Sequence, residues 1–140
     1  MHTYTNIWMH FVWSTHKRKR IISDDLKEKL ISHYKEYGNN NNIDVDTVNG
    51  DLDHLHLLIR LRPTQSASEV ANRLKGESSN WINKNNYIKG KFAWQSGYGV
   101  FSVSESQLGI VRLYIHNQQK HHLKKCYQEE LAEILTVKLV

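Results

Sequence analysis

The first apolar segment of the chain, residues 4–14, is rich in aromatic and β-branched side chains. Large side chains occupy both its odd and its even positions: Ile7, Met9, Phe11 and Trp13, and Trp8, His10 and Val12. Successive side chains of a strand point to opposite faces of the sheet. Large residues on both faces therefore indicate a strand in the middle of a sheet.

The pattern then changes to that of an amphipathic helix. Ser23 is a suitable N-cap residue, and Asp24 and Asp25 place negative charge in the first turn. Four residues at helical spacing form the apolar stripe: Leu26, Leu30, Ile31 and Tyr34. Gly38 is predicted to end this helix, and the four asparagines at 39–42 are predicted to form a loop.

A β-hairpin is predicted next. Ile43, Val45 and Thr47 alternate with Asp44 and Asp46, and Asn49-Gly50 is a favoured turn sequence. The return strand is predicted at residues 54–61, because Pro63 cannot continue it.

Two capping boxes, at residues 66–69 and 104–107, predict the starts of two further helices. Their inward-facing residues are predicted to be Val70, Leu74 and Trp81 in the first helix, and Leu108, Val111 and Ile115 in the second. Residues 97–104 between them have the pattern of a short strand. A last helical segment is predicted at about 128–135.

The element order is strand, helix, strand, strand, helix, strand, followed by helices. This order predicts an α+β, ferredoxin-like fold (β-α-β-β-α-β), in which an antiparallel sheet carries two helices on one face. The other face of the sheet is expected to be open to a ligand or partner. The C-terminal helices follow this unit, and residues 1–140 are predicted to form a single domain.

Composition supports a folded domain. The 140 residues are 39% hydrophobic and 24% charged, which is typical of a globular chain. Cys126 is the single cysteine, so a disulfide framework and a cysteine zinc site are excluded. No apolar run reaches the roughly 18 residues of a membrane helix, and the N-terminus does not resemble a signal peptide. We therefore expect a cytoplasmic protein with no membrane partner.

The formal net charge of +5 favours a polyanionic partner such as nucleic acid, although a basic surface can also be without such a role. Candidate phosphate contacts are Lys17, Arg18, Lys19, Arg20, Arg60, Arg62, Arg73, Lys75 and Lys91. Trp81, Trp94 and Tyr98 could stack on unpaired bases. The helical spacing of Trp81 favours a place in the core, whereas Trp94 is consistent with either role.

His54 and His56 are the first candidates for chemistry. Side chains two apart in a strand share a face, so both imidazoles project together, about 7 Å apart at Cα, and can share one metal ion. Residues Leu55, Leu57 and Ile59 would then point into the helices. The alternative is a pair of histidines on a strand surface.

Tyr114 and Gln118 are the second candidates. They are separated by four residues on a predicted helix and therefore lie on one face. A phenol and a carboxamide could serve as nucleophile and metal ligand; the alternative is a tyrosine that packs at the helix surface. Tyr127 is the rival nucleophile, and the pair His121-His122 could contact phosphate or the helix terminus.

Together these segments resemble the HUH single-tyrosine transposases of bacterial insertion sequences, the IS200-like transposases, which include the REP-associated tyrosine transposases. The resemblance is carried by DHLHLLI at 53–59, LKGESS at 74–79, WQSGYGVFSVS at 94–104 and YIHNQ at 114–118. FVWST at 11–15, the basic residues 18–20 and the histidines 121–122 also fit. The likeness spans nearly the whole chain.

The resemblance implies a metal-dependent endonuclease and strand transferase that acts on single-stranded DNA. His54, His56 and Gln118 would match the metal ligands, and Tyr114 would be the nucleophile that forms a 5′-phosphotyrosine. This donor set suits Mg²⁺ or Mn²⁺. The implied substrate is a DNA hairpin near an element end, the implied assembly is a homodimer joined through sheet edges, and no small-molecule substrate is implied.

Two other functions stay open at this point. One is a non-catalytic module that binds single-stranded nucleic acid on the sheet. The other is a domesticated relative that processes repeated palindromes.

Overall fold

Four strands and three α-helices make up residues 2–118, the part of the chain that the computed structural model describes. In chain order they are β1 (Ile7–Ser14), α1 (Asp24–Asn40), β2 (Asp44–Asp51), β3 (His54–Leu61), α2 (Ala67–Lys84), β4 (Gly99–Val103) and α3 (Leu108–His116). The strands form one sheet in the order β2-β3-β1-β4, and every neighbouring pair is antiparallel. The ferredoxin-like prediction is confirmed. The helix predicted at 128–135 lies outside the described residues.

Several boundaries follow local sequence signals. β3 begins and ends at the predicted residues. The Ser23 hydroxyl accepts a hydrogen bond from the Leu26 backbone N–H, at 3.2 Å, and caps α1. The Ser66 hydroxyl accepts one from Glu69 N–H at the start of α2, also at 3.2 Å. Each cap satisfies a backbone donor that the helix itself leaves without a partner.

Gly38 does not end α1 as predicted, because the helix continues to Asn40. Gly38 is buried, and a Cβ atom at this position would lie 2.5 Å from the Ile43 carbonyl oxygen. The glycine is therefore needed where the end of the helix passes close to the chain entering β2.

The predicted turn at Asn49-Gly50 is also wrong. Both residues belong to β2, where Asn49 pairs with His56 and Gly50 with Leu55, and the turn lies at residues 52–53. A Cβ atom on Gly50 would collide with the His54 carbonyl oxygen and crowd the Leu55 side chain. This glycine allows a close approach of the two strands and does not form the turn.

The two faces of the sheet are covered by different helices. The larger core lies under α1 and α2, and the side chains of Leu55, Leu57 and Ile59 enter it as predicted. A second, smaller cluster lies on the opposite face, where α3 packs Leu108 and Ile115 against Leu58 and Val103. The expectation of an open second face is therefore wrong, because the apolar side of α3 covers part of it.

Other differences are local. Ser104 does not cap an α-helix with its side chain; a 3₁₀ turn at Glu105–Gln107 comes before α3. Trp94 belongs to the core, where its indole Nε1 donates to the Ser78 hydroxyl at 2.9 Å. Trp81, which was expected in the core, is half-buried at its margin and stacks on His33 with ring centroids 4.0 Å apart.

Alanine substitutions at Gly50 and Gly76 should have opposite effects on stability. Gly50→Ala should lower the free energy of unfolding by about 1–3 kcal/mol, because the methyl group has no room. Gly76→Ala is the matched control, since it lies inside α2 with nothing within 4 Å of an added Cβ. That variant should be more stable by about 0.5–1 kcal/mol. Urea unfolding measures both, and equal stabilities would contradict the assignment.

Candidate functional site

His54 and His56 lie side by side on the face of β3 that α3 covers. Both side chains are fully buried, and their ring centroids are 5.1 Å apart. The interpretation as a pair of surface histidines is therefore wrong. Burying a polar ring without a hydrogen bond costs free energy, so the partners of these rings determine what the site can do.

Each of these rings makes a hydrogen bond through Nδ1. His54 Nδ1 lies 2.7 Å from the Asp53 carboxylate, and His56 Nδ1 lies 2.8 Å from His10 Nε2. Such contacts fix the orientation of each ring and leave the other ring nitrogen, Nε2, as the atom that could bind a metal ion. The carboxylate beside His54 is the arrangement commonly found behind metal-binding histidines.

His10 is a site residue that sequence reasoning did not single out. It is buried on β1, contacts His56, and has its ring centroid 6.4 Å from that of Tyr114. The alternation of side chains along β1 could have identified His10. In the ferredoxin-like order β1 lies beside β3, so an even-numbered β1 residue such as His10 shares the face of the histidine pair.

Tyr114 is brought to the histidines by α3. Its ring is half-buried, and its centroid lies 5.7 Å from that of His56, with the two rings nearly perpendicular. Gln118 follows one helical turn later and is fully buried, with its side-chain amide 3.4 Å from the Tyr114 carbonyl oxygen. The predicted cluster of His54, His56, Tyr114 and Gln118 therefore lies on one side of the sheet.

Polar contacts dock α3 onto β2. Arg112 donates two hydrogen bonds to the Asp46 carboxylate, at 2.9 and 3.1 Å, and its guanidinium lies over the Trp8 ring at 5.4 Å. Asn49 donates to the His116 carbonyl oxygen at 2.9 Å. Burial alone would raise the pKa of Asp46, but hydrogen bonds from Arg112 and Thr47 outweigh it and hold that pKa below its ordinary value.

The donor chemistry of the cluster fits a divalent cation. Two imidazoles and a carboxamide oxygen can bind Mg²⁺ or Mn²⁺, and the nitrogen ligands favour Mn²⁺. Within residues 2–118, no three His, Cys, Asp or Glu side chains are placed to hold one ion together. The predicted third ligand, Gln118, is an amide and therefore does not belong to these four residue types.

The candidate phosphate contacts have different surroundings. Residues 17–20 are exposed and follow β1. Arg62 forms an ion pair with Asp44, and Arg60 donates to the Thr5 carbonyl oxygen at 2.8 Å. The Lys75 ammonium donates to the carbonyl oxygens of residues 95 and 97, and burial lowers its pKa. Its side chain thus holds a loop, and a phosphate contact by Lys75 stays a prediction.

Some predicted residues cannot be placed. His121, His122 and Tyr127 lie outside the described residues. Among the helices of residues 2–118, none is both long and apolar enough to cross a membrane.

Comparisons with known proteins point to one family. Residues 3–118 match the family model described as "Transposase IS200 like". The ISDra2 transposase TnpA of Deinococcus radiodurans is 24% identical over 114 residues, which cover 78% of this chain and 81% of that protein.

Two solved structures share the fold. One is a protein of Deinococcus radiodurans R1 assigned as a transposase, with a TM-score of 0.66, 23% identity, and coverage of 84% of this chain and 95% of that one. The other is a REP-associated tyrosine transposase bound to a REP hairpin, with a TM-score of 0.61, 12% identity, and coverage of 87% and 74%.

The docking contacts of α3 can be tested by removing one charge. Asp46→Asn should loosen α3 and speed hydrogen exchange of its amides about two- to fivefold, the effect of losing a well-formed surface ion pair. Asp44→Asn is the matched control, because Asp44 lies on the same strand and its comparable ion pair is with Arg62, which is not a residue of α3. Equal exchange rates in α3 for both variants would contradict the docking role.

The same contact predicts a pH dependence. The folded-state pKa of Asp46 is lowered, so its stabilising effect is complete above the unfolded value of about 3.9 and is lost as pH falls through the lower folded value. Protection of the α3 amides, corrected for intrinsic rates, should therefore stay constant from about pH 8 to pH 5. Loss of protection within that range would show that another group controls docking.

Proposed function

The chain belongs to the family of IS200-like transposases, and from this premise we propose that it cuts and rejoins single-stranded DNA with Tyr114 as nucleophile. The family makes it a DNA-processing enzyme. The observation that carries the finer proposal is the contact between the Tyr114 ring and His56, which itself lies against His54 on the covered face of the sheet.

In the proposed reaction, the Tyr114 phenolic oxygen attacks the phosphorus of one DNA phosphodiester. A bond forms between that oxygen and phosphorus, and the bond from phosphorus to the 3′ oxygen breaks. The phenolic proton is balanced by the proton that the leaving 3′-hydroxyl takes up. The product is a 5′-phosphotyrosine, which keeps the energy of the broken bond, so rejoining by a 3′-hydroxyl needs no ATP.

We propose His54, His56 and Gln118 as the ligands of Mg²⁺ or Mn²⁺. When bound, such an ion would polarise the scissile phosphate, which a neutral phenol with a pKa of about 10 requires. The chain itself orients the donors: Asp53 holds His54, His10 holds His56, and α3 places Tyr114 and Gln118 on the same side.

The proposed DNA partner carries a hairpin near its cleavage site. The structure of the REP-associated relative with a REP hairpin supports this for the same fold. We also propose a homodimer joined through sheet edges, since β2 and β4 are the outer strands of the described sheet. We place the protein in the cytoplasm, where its DNA substrate would lie.

A non-catalytic module that stacks bases on the sheet is less consistent with the fold. Such a module needs exposed aromatic side chains on an open sheet face. Here α3 covers part of that face, and the residues of β3 beneath it include the buried histidines His54 and His56.

Removing the phenolic oxygen tests the nucleophile. Tyr114→Phe should abolish cleavage of single-stranded DNA from the flanks of the gene while binding of the same strand stays within about twofold of wild type. A gel assay for cleavage and fluorescence anisotropy for binding measure the two effects. Normal cleavage by Tyr114→Phe would exclude this residue as the nucleophile.

Removing ligands tests the metal site. His56→Ala should lose Mn²⁺-dependent cleavage with retained folding by circular dichroism. Asp53→Ala keeps both ligands and removes only the partner of His54, so the Mn²⁺ concentration for half-maximal cleavage should rise about 10- to 100-fold. If both variants cleave like wild type at limiting Mn²⁺, the histidine pair does not bind the metal.

A further inference from the structure

A half-open cavity of about 580 Å³ lies beside the histidine pair, at the end of the sheet where β4 parts from β1. Its lining includes Ser14, the neighbour of His54 in the β1–β3 pairing, and Phe101, the neighbour of His10 in the β1–β4 pairing. The cavity therefore adjoins the face on which the proposed chemistry takes place. Neither the proposed nucleophile nor the proposed metal ligands belong to its lining.

A short arch of chain encloses this cavity. The chain pairs with β1 at Thr15–Trp94, and Gln95 N–H donates to the Ser14 carbonyl oxygen at 2.8 Å. It pairs with β1 again only at Gly99, opposite Val12, so residues 96–98 bow away from the strand. Gly97 has a φ of +85°, which favours glycine at the top of the arch.

Lys75 and Gln95 hold the arch in place. The Lys75 ammonium donates to the Gln95 and Gly97 carbonyl oxygens at 2.8 and 2.6 Å. Its half-buried side chain thereby connects α2 to the arch. The Gln95 side-chain oxygen accepts a hydrogen bond from Lys17 N–H at 3.1 Å. Hydrogen bonds from α2 and from the segment after β1 thus hold the arch that encloses the cavity.

The lining combines aromatic walls, small polar groups and two cations. The half-buried Tyr98 and Phe101 supply flat apolar surface, the buried Trp13 lies behind them at the wall, and Ser14 and Ser96 supply hydroxyl groups. Lys17 and Arg18 also line the cavity; both are exposed, and they adopt consecutive left-handed conformations with φ of 56° and 51°. Flat apolar walls with a polar edge fit a nucleobase, and the cations fit its phosphates.

We propose that this cavity binds one unpaired nucleobase of the DNA strand that reaches His54 and His56, with the adjoining phosphate against Lys17 and Arg18. The proposal rests on the proposed function, because the strand must cross the histidine site. The cavity would be a second binding site for the strand, beside the histidine site. The main contacts of α3 are with β2 and β3, and no residue of α3 lines the cavity, so the bound base would leave the tyrosine helix in place.

The first test compares two strands of equal length and charge: fluorescein-labelled dT20 and a 20-residue abasic strand, in EDTA so that cleavage plays no part. Wild type should bind dT20 about tenfold more tightly. Ser96→Leu fills the cavity from an exposed loop position and should lower dT20 affinity about tenfold while leaving the abasic strand unchanged. Ser96→Ala is the size control and should bind like wild type.

The second test separates base from phosphate. Lys17→Asn keeps a residue that tolerates the left-handed conformation and removes one charge. It should weaken both strands equally and reduce the slope of log affinity against log salt by about 0.7. Lys84→Asn removes a charge at the end of α2, outside the cavity lining. It should lower the affinity for each strand less than Lys17→Asn does.

Several results would overturn the proposal. A base in this cavity would be excluded by equal wild-type affinity for the two strands. It would also be excluded if Ser96→Leu left dT20 binding unchanged, or if Ser96→Leu weakened dT20 and the abasic strand equally. If Ser96→Leu binds normally but Tyr114-dependent cleavage is observed, the subsite fails and the proposed function stands. If wild type binds neither strand, the subsite fails, and Tyr114-dependent cleavage of DNA from the flanks of the gene decides the proposed function separately.

Discussion

The burial of two histidine side chains on β3 is the constraint on which the rest of the structure depends. Strand alternation sends Leu55, Leu57 and Ile59 of β3 into the larger core and leaves His54 and His56 on the other face, where α3 covers them. A buried polar ring that lacks a hydrogen bond costs roughly 1–3 kcal/mol. Asp53 and His10 offset that cost, and the same contacts orient the imidazoles for metal binding.

α3 has two roles that depend on each other. Its apolar residues close the second core, and its polar residues bind the edge strand β2 through Asp46 and Asn49. Tyr114 lies between these two sets of contacts, half-buried against His56. By contrast, Tyr34 is fully buried in the larger core, where its hydroxyl donates to Ser78 and burial raises its pKa. The fold therefore presents one tyrosine of the described chain to the histidine pair.

Local signals were sufficient for much of the fold and for part of the site. The helix caps at Ser23 and Ser66 and the bounds of β3 depend on nearby residues, and sequence patterns predict them well. Sequence patterns gave wrong predictions where a residue's role depends on contacts with distant parts of the chain. Gly50 reads as a turn residue, yet it is required by the close approach of β2 to β3, a fact that only the paired strands show. His10 belongs to the site because it contacts His56 on the neighbouring strand. Lys75, a candidate phosphate contact, lies on α2 and binds the loop at residues 95–97.

The most direct test of the central claim is covalent capture of DNA by the protein. Single-stranded DNA from the flanks of the gene is incubated with the protein in Mn²⁺ and in EDTA, and denaturing gels with mass spectrometry locate any adduct. The account predicts a Mn²⁺-dependent adduct attached to Tyr114 through a 5′ phosphate. An adduct on Tyr127 or on another residue, or tight binding of the strand with no adduct in Mn²⁺, would contradict it.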